Sequence, residues 1–275
     1  GLTYSLVDIS RFFLLWALLV SAVNLTGAYF LVEFKHEDSN TLHESDETSD
    51  TSMQRNELVW NSWRDTDFWI LFLVFMCCTG CGLFVINNIS TMVESVGGSD
   101  GFSGSLVIMF SLCNCFARIL TGYVTDKGWI SRLSLFSCML FIMSMNMFCS
   151  AAYYGLDSVG SLGITVVLTA LAYGGSWVLI VCILSKWFGN HDFGKNYGLM
   201  VMGPAISGMV FNTISAEIYE THEEEDSEVC LGAVCYRGSF IFAGVAGLLG
   251  LLILSCLAWR RSSSSNEHIY ALNTA

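Results

Sequence analysis

The sequence predicts an all-α membrane protein that crosses the bilayer seven times. Of its 275 residues, 53% are apolar and only 13% charged, whereas a soluble globular chain carries about a quarter charged residues. The mean hydropathy is +0.57, which favours lipid over water as the surroundings. The apolar residues also gather into seven continuous runs, each near the roughly 20 residues a helix needs to cross about 30 Å of hydrocarbon. Barrel strands would be shorter and alternate in polarity.

The first run, 12–34, is too long for a signal-peptide core and has no small-residue cleavage site after it. It stands apart as an isolated helix within 1–34. The next stretch, 35–66, holds HEDSNTLHESDETSD and has little apolar surface to bury, so it reads as a solvated linker. Runs at 68–89, 103–122, 133–154, 159–185, 197–216 and 239–259 follow, joined by short connections. The last, SFIFAGVAGLLGLLILSCLAW, contains no charge. These six form a bundle over 67–259, and 260–275 is a polar tail. Opening on Gly1 almost directly in a span suggests a piece of something longer.

Lys and Arg set the orientation, since they concentrate on the cytosolic side. With the amino terminus outside, Lys35, Arg55, Arg64, Arg118, Lys127, Arg132, Lys186, Lys195, Arg260 and Arg261 fall inside, and only Arg11 and Arg237 outside. The carboxyl terminus is then cytosolic; which membrane holds the chain is left open. The net charge of −12 comes mainly from the linker and from EIYETHEEEDSE at 217–228, a solvated loop. Nine of the eleven cysteines lie in or beside apolar runs and read as small hydrophobes. Cys230 and Cys235 lie in a polar loop that this orientation places outside, where they could form a disulfide.

One connection, CFARILTGYVTDKGWISR at 115–132, concentrates charge between apolar runs. Gly122 lets two helix ends approach closely. Asp126 beside a helix N-terminus is favoured by the macrodipole and can pair with Arg118 or Arg132. The blander reading is an interfacial anchor with Arg118, near the cytosolic end, snorkelling.

Residues 118–127, RILTGYVTDK, resemble the signature loop of the major facilitator superfamily, G-x-x-x-D-[RK], with Gly122, Asp126 and Lys127 in its positions. DFWILFLVFMCCTGCGLFVINNIS at 67–90 and WFGNHDFGKNYGLMVMGPA at 187–205 are similar to the nodulin-like branch, a relative of monocarboxylate and oxalate/formate carriers. The chain departs from that branch at Asp192, with His191 one place early, and at Ile130, where the loop would be basic. The resemblance implies that 67–259 is the C-terminal half of a twelve-helix carrier, built on inverted three-helix repeats, and that 12–34 is the last helix of the other half. It further implies alternating-access transport of a small solute, an organic anion by analogy, with Asp126 as a gate latch. The remaining half, or a second copy, would be the partner.

Substrate candidates are neutral polar residues in helices that the resemblance makes cavity-lining: Asn114, Tyr173, Ser176, Trp177, Ser207 and Asn212. Asn87 and Asn88 lie toward the outer mouth. Polar groups in a span face protein or water, so helix-to-helix bonding is the competing reading for each. Gly203–Pro204 would interrupt the fifth helix of the bundle. Asn88-Ile89-Ser90 has the form of a glycan acceptor but lies too close to the membrane. Met139, Met143, Met145 and Met147 read as packing residues, so no metal, cofactor or nucleic-acid partner is expected. The spans offer no paired carboxylates or Ser/His arrangement for an enzyme. A seven-helix receptor or a non-transporting membrane scaffold is the alternative. The receptor is disfavoured by FARIL at the end of the third span and by near absence of proline.

Overall fold

A computed structural model describes residues 14, 15, 18, 19, 21, 22, 25, 26, 65–153, 160–189, 193–222, 230, 232 and 234–273, with side chains described as far as residue 262. The chain divides into two compact units, 1–57 and 58–275. In the first, the described residues of the run 12–34 are helical and exposed. The linker lies outside the described residues apart from its last two positions.

Among its described residues the second unit holds six helices: α1 (Thr66–Ser95), α2 (Asp100–Lys127), α3 (Arg132–Tyr153), α4 (Gly160–Phe188), α5 (Phe193–Glu220) and α6 (Val234–Asn273). All six are long and apolar enough to cross a membrane. The chain is therefore all-α and polytopic.

Helix ends follow local chemistry. The Asp65 carboxylate caps α1 by accepting from the Asp67 N–H at 3.0 Å. After α1, Gly97 takes φ 74° and the Gly98 N–H bonds the Val93 carbonyl at 2.8 Å. Gly128, at φ 67°, closes α2 in the same left-handed way. The helices overrun the apolar runs, because a helix continues past the hydrocarbon wherever its exposed end stays hydrogen-bonded. Thus α6 runs on to Asn273 through residues expected as a tail.

Packing is organised in pairs. The main contacts are α2 on α4, α1 on α5, α3 on α6, α3 on α4 and α1 on α6, with α1 also against α4. Exchanging α1 with α4, α2 with α5 and α3 with α6 leaves this set unchanged, the contact pattern of two repeats of three helices related by a pseudo-two-fold. Close approaches use small residues. Added Cβ atoms at Gly244 and Gly250 of α6 would meet Phe148 and Cys77 at 3.0 Å. Ser144 donates to the Gly244 carbonyl at 2.9 Å. A buried polar knot ties α3 to α4, with Asn146 Nδ2 donating to the Thr165 carbonyl at 3.0 Å and to Thr169 Oγ1 at 2.9 Å.

Burial is uneven in a way that positions the site. Helices α1 and α4 are core elements, while α2 buries only Leu106, Phe110, Ala117, Thr121 and Thr125. Leu112, Phe116 and Ile119 of α2 and Met202, Ile206 and Met209 of α5 are exposed.

Candidate functional site

The α2–α4 contact is set by Gly174. A Cβ there would stand 2.5 Å from the Asn114 carbonyl oxygen and 2.6 Å from its Oδ1, so glycine alone lets the two backbones come this close. The approach gathers four candidates. Arg118 Nε donates to Asn114 Oδ1 one helical turn back at 3.4 Å. The Arg118 guanidinium lies 5.7 Å from the Trp177 ring centroid, within cation–π range. Tyr173 stands edge-on to Trp177 at 6.1 Å and tilted against Phe110 at 6.1 Å, and Phe75 backs Trp177 at 5.2 Å.

Arg118 lies in the second half of α2, on its exposed side. The helix runs on beyond the apolar run, which ends at 122, as far as Lys127, so Arg118 stands about 14 Å from the helix end at 1.5 Å per residue. Among the described residues no carboxylate pairs with it. A charge inside a span is costly and marks a functional position unless something neutralises it. The site therefore presents an uncompensated cation with aromatic walls, suited to holding an anion.

The other candidates do not join this cluster. Ser176 is fully buried in the α1–α4 contact, where it donates to the Ala172 carbonyl at 2.7 Å and accepts from Cys78 Sγ at 3.2 Å. Ser207 lies 3.3 Å from Thr79 Oγ1 in the α1–α5 contact. Asn212 accepts from Asn88 Nδ2 at 2.9 Å; that amide also donates to the Phe84 carbonyl at 2.8 Å. Asn88, not the exposed Asn87, thus makes the inter-helix bond, and its engaged amide does not suit a glycan. Nor does Gly203–Pro204 break α5, which stays continuous through Pro204. There Gly203 admits Met76, 3.0 Å from where its Cβ would be.

The signature loop differs from expectation in three ways. Asp126 lies in the last turn of α2, where the macrodipole opposes a carboxylate. It makes no ion pair with Arg118 or Arg132 among the described residues, and Arg132 instead donates to the Cys182 carbonyl at 2.9 Å. The space a side chain would take at Gly122 is open, so no close approach is made there among the described residues.

Sequence reasoning missed a charged cluster at the helix ends that carry Lys186, Arg260 and Arg261. Asp67 of α1 pairs with Arg260, and its Oδ2 accepts from Arg261 Nε at 2.7 Å. The Arg261 guanidinium lies 3.5 Å over the Trp187 ring. Three helices, α1, α4 and α6, are tied at one end. The available signal was an acid at the first position of the bundle and two arginines just after its last run.

At the other end Cys230 and Cys235 are joined in a disulfide. The Cys230 N–H bonds Tyr219 Oη at 3.0 Å, the Gly232 N–H bonds the Ser95 carbonyl at 2.9 Å, and Thr91 Oγ1 lies 2.5 Å from Tyr236 Oη. Closing so short a loop restricts the unfolded chain by about 2 kcal/mol. Replacing both cysteines by serine is expected to lower the unfolding temperature by several degrees, and a reductant should do the same to the unaltered protein but not to the variant. His222 hydrogen-bonds the Ile218 carbonyl at 2.8 Å; Glu223–Asp226, like His191 and Asp192, lie outside the described residues.

Comparison with known proteins gives the family. The sequence profile of the Major Facilitator Superfamily matches residues 68–269. Protein NUCLEAR FUSION DEFECTIVE 4 of Arabidopsis thaliana is 26% identical over 196 residues, 68% of this chain and 33% of that protein. Probable transporter MCH1 of Saccharomyces cerevisiae is 23% identical over 286 residues, 94% of this chain and 57% of its own length. The uncharacterized MFS-type transporter YhjX of Escherichia coli is 22% identical over 204 residues, covering 74% and 48%. The chain spans between a third and just over half the length of these curated relatives. With the match covering nearly all of its six described spans, this multi-pass helical chain belongs to the major facilitator superfamily, with nodulin-like relatives.

Proposed function

We propose that the six-helix unit forms one wall of a path carrying a small organic anion across a membrane, by rocking against a second helical unit. The observation that carries this reading is Arg118, a cation within a span, set over Trp177 and lacking a carboxylate partner among the described residues. In carriers of this kind the substrate binds near the midplane between two halves. Asn114 would orient the guanidinium, and Tyr173 and Trp177 would wall off the apolar part of the solute.

The second wall covers the open faces of α2 and α5. Support comes from the exposed stripe Leu112, Phe116 and Ile119 and from the open space at Gly122. It also comes from Asp126, placed where its own helix disfavours it and so suited to a cation or helix N-terminus across the seam. That is the latch role. The facing unit is the N-terminal half of a twelve-helix carrier, with the run 12–34 as its last helix and the seventh span of this chain. The amino terminus lies outside and the carboxyl terminus in the cytosol.

Uptake of a labelled organic anion into proteoliposomes tests the two-wall reading, using this chain alone and together with an N-terminal six-helix unit. Saturable uptake is expected only with both. Equal uptake by the chain alone would overturn it.

A further inference from the structure

Ser262–Ser265 follow directly on Arg260 and Arg261. Kinases that read basic residues take arginine two and three positions before the acceptor serine, and Ser263 alone of the four has both arginines at those positions. We propose that Ser263 is a phosphoacceptor for a basic-directed protein kinase, and that Asp67 controls its use by holding the two arginines the kinase must read.

The geometry supplies the control. Arg260 and Arg261 both pair with the Asp67 carboxylate, whose side chain is only 11% exposed. Arg261 is further held against Trp187 at 3.5 Å. A kinase cleft needs both guanidiniums for its own carboxylates, so it can engage only chains in which the tie to α1 and α4 has opened. In the transfer, the Ser263 hydroxyl oxygen bonds the γ-phosphorus of a nucleoside triphosphate. The bond from that phosphorus to the β–γ bridging oxygen breaks, the nucleoside diphosphate leaves, and the hydroxyl proton passes to the kinase's base. The product carries nearly two negative charges and three strong acceptor oxygens. Position 263 is three residues on from Arg260 along α6, one turn away. Two negative charges added within one turn of Arg260 oppose its tie to Asp67. A contact fixing the cytosolic ends of α1 and α6 becomes one that a kinase can release.

The inference rests on the cytosolic placement of the tail proposed above. The test uses the full chain in lipid nanodiscs, which expose both faces, so its failure is separable from failure of that placement. The chain is incubated with the catalytic subunit of a basic-directed Ser/Thr kinase and magnesium ATP, and phosphopeptides are located by mass spectrometry. Phosphate is expected on Ser263 and lost from that peptide in Ser263→Ala. In Asp67→Asn the initial rate should rise about fivefold, the scale on which a partly exposed ion pair holds its charges. No phosphate at Ser263 in either protein would overturn the proposal. So would equal rates with and without Asp67.

Discussion

Replacing Arg118 by glutamine is expected to reduce organic-anion uptake at least about 30-fold, since truncating one member of a desolvated charge pair costs roughly 2–5 kcal/mol. The loss should come without a loss of stability. In the absence of solute the exposed guanidinium has only one long bond to Asn114 and a ring face at 5.7 Å, so little within the bundle depends on it. A neutral side chain is easier to keep in a span, so Arg118→Gln should unfold at the same temperature as the parent or higher. Arg118→Lys keeps the charge but loses the planar fork that grips two oxygens and stacks on an indole. Its uptake should fall between the two. Uptake unchanged in Arg118→Gln, or a collapse of the fold, would return Arg118 to the role of an anchor.

Gly174→Ala carries the second large effect, through packing. The added carbon stands 2.5 Å from a backbone oxygen of α2, and no side-chain rotation can relieve a clash with a carbonyl. The helices must separate, at a cost of about 1–3 kcal/mol. The same displacement carries Asn114 and Arg118 away from Tyr173 and Trp177. Unfolding temperature and uptake should therefore fall together, uptake by about tenfold or more, as expected when reacting groups shift by an ångström. Gly104→Ala on α2 is the control. Among the described residues nothing lies within 4 Å of its added carbon, and alanine suits a helix better than glycine, so neither property should drop.

The helices were legible because lipid imposes one strong rule: backbone groups must be satisfied within the span. That rule writes a long apolar run into the sequence wherever a helix crosses, as at 239–259. Their ends were less legible, because beyond the hydrocarbon α2 and α6 are extended by polar residues that could equally begin a loop. The substrate candidates were chosen as polar residues in spans, a signal that serves two purposes. Ser176, Ser207 and Asn212 stitch helices together, whereas Asn114, Tyr173 and Trp177 gather round Arg118; only the Gly174 approach, a contact across sixty residues of chain, separates the two sets. The Asp67–Arg260–Arg261 tie was hidden for the same reason, since its members lie at opposite ends of the bundle sequence.

The claim on which the rest depends is that the α2–α4 cluster faces water between two walls rather than lipid. It is tested by placing a cysteine at Asn114, in a background without the other free cysteines, and treating intact membranes of the whole carrier with a charged, water-soluble thiol reagent. Modification without detergent, slowed by an added small organic anion, is the predicted result. A cysteine that stays unmodified until detergent strips the lipid would contradict the account.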